Sequence, residues 1–292
     1  MEIADSADSG LTGSAYTLSA LDRRRWNLLD AVTVVAKGSI PCTLFSEVNM
    51  GWAEKLREQF AAKNCKLTVT AILLKAIGTA QSRYPLSGGV IMPGGRIATF
   101  DDITAGFTVE RFVQQKPVLF FGTIKKPNEK SLPQIMTELY AYSQESVDEH
   151  PVLKIQEHFS QMPWLVRQLI LWVGMRFPQV RQKYIGATFG LTSLGKYGIK
   201  TGTGPTICAA NFAVGVVEQR LVADKGIAII QPMMTLSLFF DRRVINEAQA
   251  AKLQQEVVSL IEGRLNKCLE DDERLQDSNV HFHTRKSHQR SA

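Results

Sequence analysis

The chain has 292 residues, 45% hydrophobic and 21% charged, with 21 Gly and 11 Pro, a globular composition that excludes a collagenous or wholly disordered chain. That length buries enough surface for one large domain without metal or disulfide staples. The net charge of +6, from 34 Lys and Arg against 28 Asp and Glu, is a mild excess with no long basic block, so nucleic acid is not an expected partner, although the excess raises the local concentration of anionic small molecules.

Residues 1–16 are rich in Ser, Gly and Asp with no cationic side chain and are expected to form a mobile tail. A single domain is then expected over 17–270. Residues 41–48 (PCTLFSEV) alternate and read as a strand. Residues 52–62 read as a helix, with Trp52, Leu56 and Phe60 at four-residue spacing. A second, more buried helix is expected over 68–84, closed by Pro85. Strands follow at 97–99, 104–110 and 118–125, and Ser131 is placed to cap a helix whose apolar face holds Ile135, Met136, Leu139 and Tyr140.

A helical insertion is expected over about 150–184. It contains PWLVRQLILWVGMRFP, bracketed by Pro163 and Pro178, which reads as a hairpin facing the core or a neighbouring subunit. The alternatives are a lid over an acyl chain or a foot on a membrane surface. Arg167 and Arg176 interrupt this apolar window, which is shorter than the ~20 residues of a spanning helix, so no membrane span is expected. The last third is predicted to be β-rich, with strands at 188–193, 209–218, 226–230 and 234–241, followed by a helix over 247–266 that turns Ala248, Ala251, Val258 and Ile261 inward. Residues 271–292 run acidic and then into HFHTRKSHQRSA, a second expected tail, whose His281, His283 and His288 are given no chemistry.

Cys42, Cys65, Cys208 and Cys268 form no CxxC pair, and the first ten residues lack the basic and apolar regions of a signal peptide. Free thiols in a reducing cytoplasm are therefore expected. No HExxH, GxSxG or metal-spaced Cys/His set is present, so no metal is predicted. The glycine-rich GIKTGTGPT (198–206) lacks the Lys and spacing of a phosphate loop and reads as an ordinary loop. Asp101 and Asp102 read as a turn cap.

Three stretches in fixed order resemble one family. KLTVTAILLKAIGTAQSRYP (66–85) resembles a long helix with its preceding turn, GATFGLTSLGKYG (186–198) resembles GTFTISNLGxxG, and SLFFDRRVINEAQAAKL (237–253) resembles SLSxDHRxxxGxxxAxFL. The family is the catalytic domain of the dihydrolipoamide acyltransferases of 2-oxoacid dehydrogenase complexes, which shares its fold with chloramphenicol acetyltransferase. The similarity is collinear from about 21 to 269 outside the insertion. It implies an α/β fold, a mixed sheet flanked by helices, assembled as a homotrimer with active sites in channels between subunits. A coenzyme A thioester would enter as a substrate from one side and a small-molecule acceptor from the other. Free-standing members exist, and this chain is expected to lack a lipoyl attachment.

The resemblance puts Thr192 at the hydroxyl that donates to the tetrahedral oxyanion, Arg242 at the position of the proton-accepting His, and Asn246 where the family has Asp or Asn. A thiol titrating near 8.5 needs a base close to neutrality, which imidazole supplies. Guanidinium stays protonated above pH 12 and cannot accept that proton. Glu247 stands where the motif has Gly, a comfortable charge at a helix start. Asp241 is expected in an ion pair with an arginine, which lowers its pKa. His150 and His158, in the insertion, read as surface or packing residues. Three functions remain open at this point. One is acyl transfer with an unusual base. Another is a repurposed channel in which Arg242 and Thr192 hold an anionic natural-product intermediate for cyclisation or rearrangement, and the last is a non-catalytic trimer that binds ligands or partners.

Overall fold

Alternation in the last third of the chain builds the centre of the sheet. In β6 (Phe189–Ser193), Phe189 and Leu191 are buried on one side while Gly190 and Thr192 face the other, as the period of two requires. The computed structural model describes residues 25–269 except 114 and 185, so the two expected tails lie outside the described residues. Around β6 stand β1 (Pro41–Asn49), β4 (Thr104–Val113), β5 (Lys116–Lys125), β7 (Ala210–Val214) and β9 (Ile227–Asp241), in the order β1-β9-β7-β6-β4-β5. The β4–β6 and β6–β7 pairs are parallel and the others antiparallel. A two-stranded hairpin, β2 (Val90–Met92) with β3 (Arg96–Ala98), lies apart from it.

Helices cover one face of this sheet. In α3 (Val69–Arg83), Ala71, Ile72, Leu73, Leu74, Ala76 and Ile77 are all fully buried, and Thr68 caps the helix by accepting from the Ala71 amide. The helix stops before Pro85, where the missing N–H and the ring forbid another turn. At its end Gln81, Ser87, Thr188 and Thr104 form a buried network, in which the Thr188 hydroxyl donates to Gln81 Oε1 at 2.6 Å and accepts from the Thr104 amide at 3.1 Å. That network fixes the start of β6 against the helix, and so the register of Thr192. Alongside α3 lie α2 (Gly51–Ala62), which buries Ala53 and Leu56, and α4 (Leu132–Gln144), which Ser131 caps reciprocally with Gln134.

Several elements differ from the sequence reading. Strand β8 (Glu218–Asp224) was not anticipated as an element; it pairs with the first half of β9 through a Lys225–Gly226 turn in which both residues have positive φ, the conformation of the tightest hairpins. Strand β9 is continuous through Pro232, where a break was expected. The Pro232 carbonyl accepts from Met50, so its nitrogen faces the same side, beyond the end of β1, and costs no ladder bond. In α8 (Glu247–Ser259) the buried residues are Ala250, Leu253, Gln254, Val257 and Val258, while Ala248 and Ala251 are exposed. Val258 and Ile261 are buried as expected, so only the first turns present a different inner face from the expected one. In α4, Tyr140 is exposed, and Tyr142 takes the buried place, its hydroxyl exchanging hydrogen bonds with the Thr123 backbone.

The insertion forms three helices rather than a hairpin: α5 (Pro151–Gln161), α6 (Trp164–Arg176) and α7 (Pro178–Tyr184). Helix α5 covers the edge of the sheet, because the Gln156 amide both accepts from and donates to the Phe121 backbone of β5, as a further strand would. Helix α6 is pinned to α1 (Trp26–Asp30) by a buried ion pair, Arg167 Nε to Asp30 Oδ2 at 2.7 Å, with Gln168 on the other carboxylate oxygen. Its apolar side chains Trp164, Leu165, Leu169 and Trp172 remain exposed on the single chain. Among the described residues no helix is long and apolar enough to cross a membrane.

Candidate active site

Thr192 sits on the sheet face opposite the helices, half-buried, between β4 and β7, with Ala213 as its partner on β7. Across Ala213, the same face continues to Ser237 of β9 and Phe45 of β1. The Thr192 hydroxyl makes no hydrogen bond among the described residues. A donor held by two flanking strands and left free of internal partners suits a negative oxygen that appears only during reaction.

The segment 195–206 lies over part of this face and behaves as a loop, as its sequence suggests. Lys196 and Tyr197 both engage Glu110 of β4, the tyrosine hydroxyl donating at 2.8 Å, and the Lys196 bond, then the tyrosine bond, hold the Glu110 carboxyl below its usual range. The Thr201 and Ser237 hydroxyls bond to each other. At Gly215, a Cβ would stand 1.8 Å from the Lys200 carbonyl oxygen, so only glycine lets the loop close there.

At the far end of β9 the chain turns through Asp241, Arg242 and Arg243. Asp241 is buried and accepts from the Ile40 amide, the Arg243 amide and the Arg243 guanidinium, with Nη2 at 2.6 Å. Burial alone would raise its pKa, but the Arg243 bonds and then the Ile40 amide outweigh it and hold the carboxyl below its usual value. Asp241 is therefore a structural anion, a poor proton acceptor. Arg242 is exposed, its Nε paired with Glu247 Oε1 at 2.8 Å. Asn246 caps α8, accepting from the Gln249 amide at 2.9 Å while Gln249 reaches back to the Asn246 amide. Its side chain is thereby committed to the helix start.

The structure thus brings Arg242 and Asn246 into one turn and leaves Thr192 apart from them within a chain. Thr192 stands level with Ser237, five residues short of Arg242 along β9 and two strands away, a separation on the order of 20 Å. The two histidines among the described residues do not supply a replacement base at hand. His150 is buried and stacked on Tyr142 with centroids 4.0 Å apart, desolvation pushing its pKa down, and His158 bonds the Lys154 carbonyl of its own helix. Asp101 and Asp102 lie in a bend, where Asp102 pairs with Lys126.

One group escaped the sequence reading. Arg181 of α7 is buried beside a cavity of about 270 Å³ that also borders Asp241 and Arg243. A lone arginine in a short helix looks like a surface residue, and its burial depends on where α7 docks. No local pattern signals it.

Comparison with known structures places the fold. A probable dihydrolipoamide acetyltransferase from Listeria monocytogenes superposes with a TM-score of 0.64 at 18% identity, over 85% of this chain and 94% of that one. The Azotobacter vinelandii dihydrolipoamide acetyltransferase gives 0.65 at 21% identity over 87% and 94%. A truncated catalytic core of the 2-oxoacid dehydrogenase multienzyme complex from Thermoplasma acidophilum gives 0.62 at 19% identity over 85% and 99%. The architecture is that of an acyltransferase catalytic core. Residues 180–269, which include Thr192, Arg242 and Asn246, match the sequence pattern of the 2-oxoacid dehydrogenases acyltransferase catalytic domain. No curated protein matches the chain by sequence.

Proposed function

We propose that this chain is an acyltransferase-fold enzyme, acting as a homotrimer in the cytoplasm, that transfers an acyl group from a coenzyme A thioester to a small acceptor at a site built between neighbouring copies. The observation that carries the reading is the separation of Thr192 from Arg242, two strands across and five residues along the sheet, within a segment that matches the acyltransferase pattern. A site using both needs Thr192 from one copy and the Arg242 turn from the next. Exposed apolar side chains on α6, on the β8–β9 hairpin (Leu221, Ile227, Ile230) and at Phe45 are the kind of surface that self-association covers.

In the Azotobacter enzyme a serine, a histidine and an asparagine were investigated for roles in the catalytic mechanism, the last two four positions apart. Arg242 and Asn246 have that spacing. In this reading the Thr192 hydroxyl donates to the oxyanion of the tetrahedral intermediate, and Arg242 adds a fixed positive charge to the same region. Arg242 cannot take the acceptor's proton; in this reading the carboxylate paired with it, Glu247, does so. Purified protein given a panel of acyl-coenzyme A thioesters and acceptors is expected to release free thiol, and Thr192→Ala to cut that rate by roughly 100-fold. No release above background from any pair contradicts the reading.

The permanent cation at position 242 also favours a second reading, a channel that holds an anionic natural-product intermediate for cyclisation or rearrangement. There Arg242→Ala abolishes turnover and added coenzyme A changes nothing. Turnover that survives Arg242→Ala rejects it.

A further inference from the structure

We propose that the cavity beside the Asp241–Arg243 pair is a binding site for an organic monocarboxylate, whose head group is held by Arg181 and Thr206. The proposal does not depend on acyl transfer, since neither Thr192 nor Arg242 lines this cavity.

Arg181 is 5% exposed, and no carboxylate among the described residues pairs with it. Its guanidinium has five N–H donors and reaches two acceptors. One is the Ile207 carbonyl at 3.2 Å; the other is the Met175 thioether sulfur, a weak acceptor. Burial pulls the guanidinium pKa down, with the adjacent Cys208 acting the other way, and burial pushes the Cys208 thiol up to about 11, so that thiol is no counter-ion at neutral pH. A buried charge is ordinarily paired or coordinated. This one is left facing a cavity that both of its acceptor residues also line.

A second group in the same wall points to the same ligand. The Thr206 hydroxyl is buried with no hydrogen-bond partner among the described residues. The one carboxylate bordering the cavity, Asp241, is already neutralised by Arg243, and Lys37, the other cation of the wall, is exposed to solvent. The buried charge left over is a single positive one. A monoanion neutralises it, whereas a phosphate dianion brings a second charge that the interior cannot match. Guanidinium presents parallel N–H groups that fit the two oxygens of a carboxylate.

The rest of the wall defines the body of the ligand. Val35, Met92, Met175 and Val244 supply apolar surface, and a cavity of about 270 Å³ leaves room for a chain of several carbons. The fitting class is a short-chain or aromatic carboxylic acid with its head group inward.

The test uses the full chain with hexanoate as the probe, followed by calorimetric titration and thermal unfolding, with hexan-1-ol and inorganic phosphate as controls. Hexanoate is expected to bind and to raise Tm, hexan-1-ol to bind at least about 30-fold more weakly, and phosphate to leave Tm unchanged. In Arg181→Met the hexanoate effect disappears while the ligand-free Tm stays at or above the unaltered protein's, because an unpaired buried charge is gone. Thr206→Val, which keeps the shape and removes the hydroxyl, weakens hexanoate binding roughly 3- to 10-fold without lowering Tm. Failure of hexanoate to bind, equal binding of hexan-1-ol, tighter binding of phosphate, or hexanoate binding that survives Arg181→Met overturns the proposal. Should Arg181→Met not fold, Thr206→Val decides by the same criterion, unchanged affinity counting against the site.

Discussion

In the proposed reaction the choice of proton acceptor turns on one side chain, Arg242. Replacing it with the imidazole that the motif carries restores a group able to accept a proton near neutral pH. Arg242→His is expected to raise the rate of thiol release from acetyl-coenzyme A by about 100-fold, within the usual range for general-base catalysis, measured with a thiol reagent. A rate equal to or below that of the unaltered chain contradicts this. At the adjacent position, Asp241→Asn removes the anion from a buried pair and should cost about 2 kcal/mol in urea unfolding at pH 7, a value reduced because Arg243 is partly exposed. The sign follows from the depressed pKa of Asp241. The carboxylate stabilises the fold above the ordinary Asp range, and that contribution fades as pH falls through its lowered folded value. The gap between Asp241→Asn and the unaltered chain should therefore narrow as unfolding is measured at progressively more acidic pH, and a gap that stays constant would show that the Arg243 pair is not its source.

Among the elements, α8 and the loop over the open face carry distinct expectations. Asn246→Ala removes the capping box and should destabilise the fold by about 1 kcal/mol. If Asn246 serves only as a cap, the variant keeps its turnover at temperatures where it remains folded. At Gly215 the close approach of Lys200 leaves no space for a methyl group. Gly215→Ala is expected to displace the 195–206 loop and hasten tryptic cleavage after Lys200, and cleavage at the unaltered rate would contradict the packing. The helices of the first half were readable because their signals are local: the Thr68 and Ser131 caps, the Pro85 stop, and the four-residue spacing of Trp52, Leu56 and Phe60. Strand β8 was not, since EQRLVAD alternates weakly and its Leu221 faces solvent; only the Lys225–Gly226 turn defines it. Pro232 looked like a break because the sequence does not reveal that β1 has already ended beside it. At the end of the last helix Val258 and Ile261 were read correctly as inward, whereas Ala248 and Ala251 were misplaced because alanines fit both sides of a helix.

For the molecule as a whole, the candidate site was legible in part. The motif placed Thr192, Arg242 and Asn246, but spacing along the chain could not show that the first stands on the order of 20 Å from the second, or that Arg181 is drawn inside by the docking of α7. That separation makes assembly the central question. A chain with apolar α6, an exposed β8–β9 hairpin and an incomplete site should have three times the mass of the monomer in light scattering. A monomer would leave Thr192 and Arg242 without each other. The most direct measurement mixes two defective chains. Thr192→Ala and Arg242→Ala, each expected to be strongly impaired alone in the coenzyme A thiol assay, are co-expressed in equal amounts so that mixed trimers form. If the site draws Thr192 from one copy and Arg242 from its neighbour, about a quarter of the sites regain both residues and activity returns to about that fraction of the unaltered protein. Activity that stays at the level of the separate variants, in trimers shown to contain both chains, contradicts the shared site.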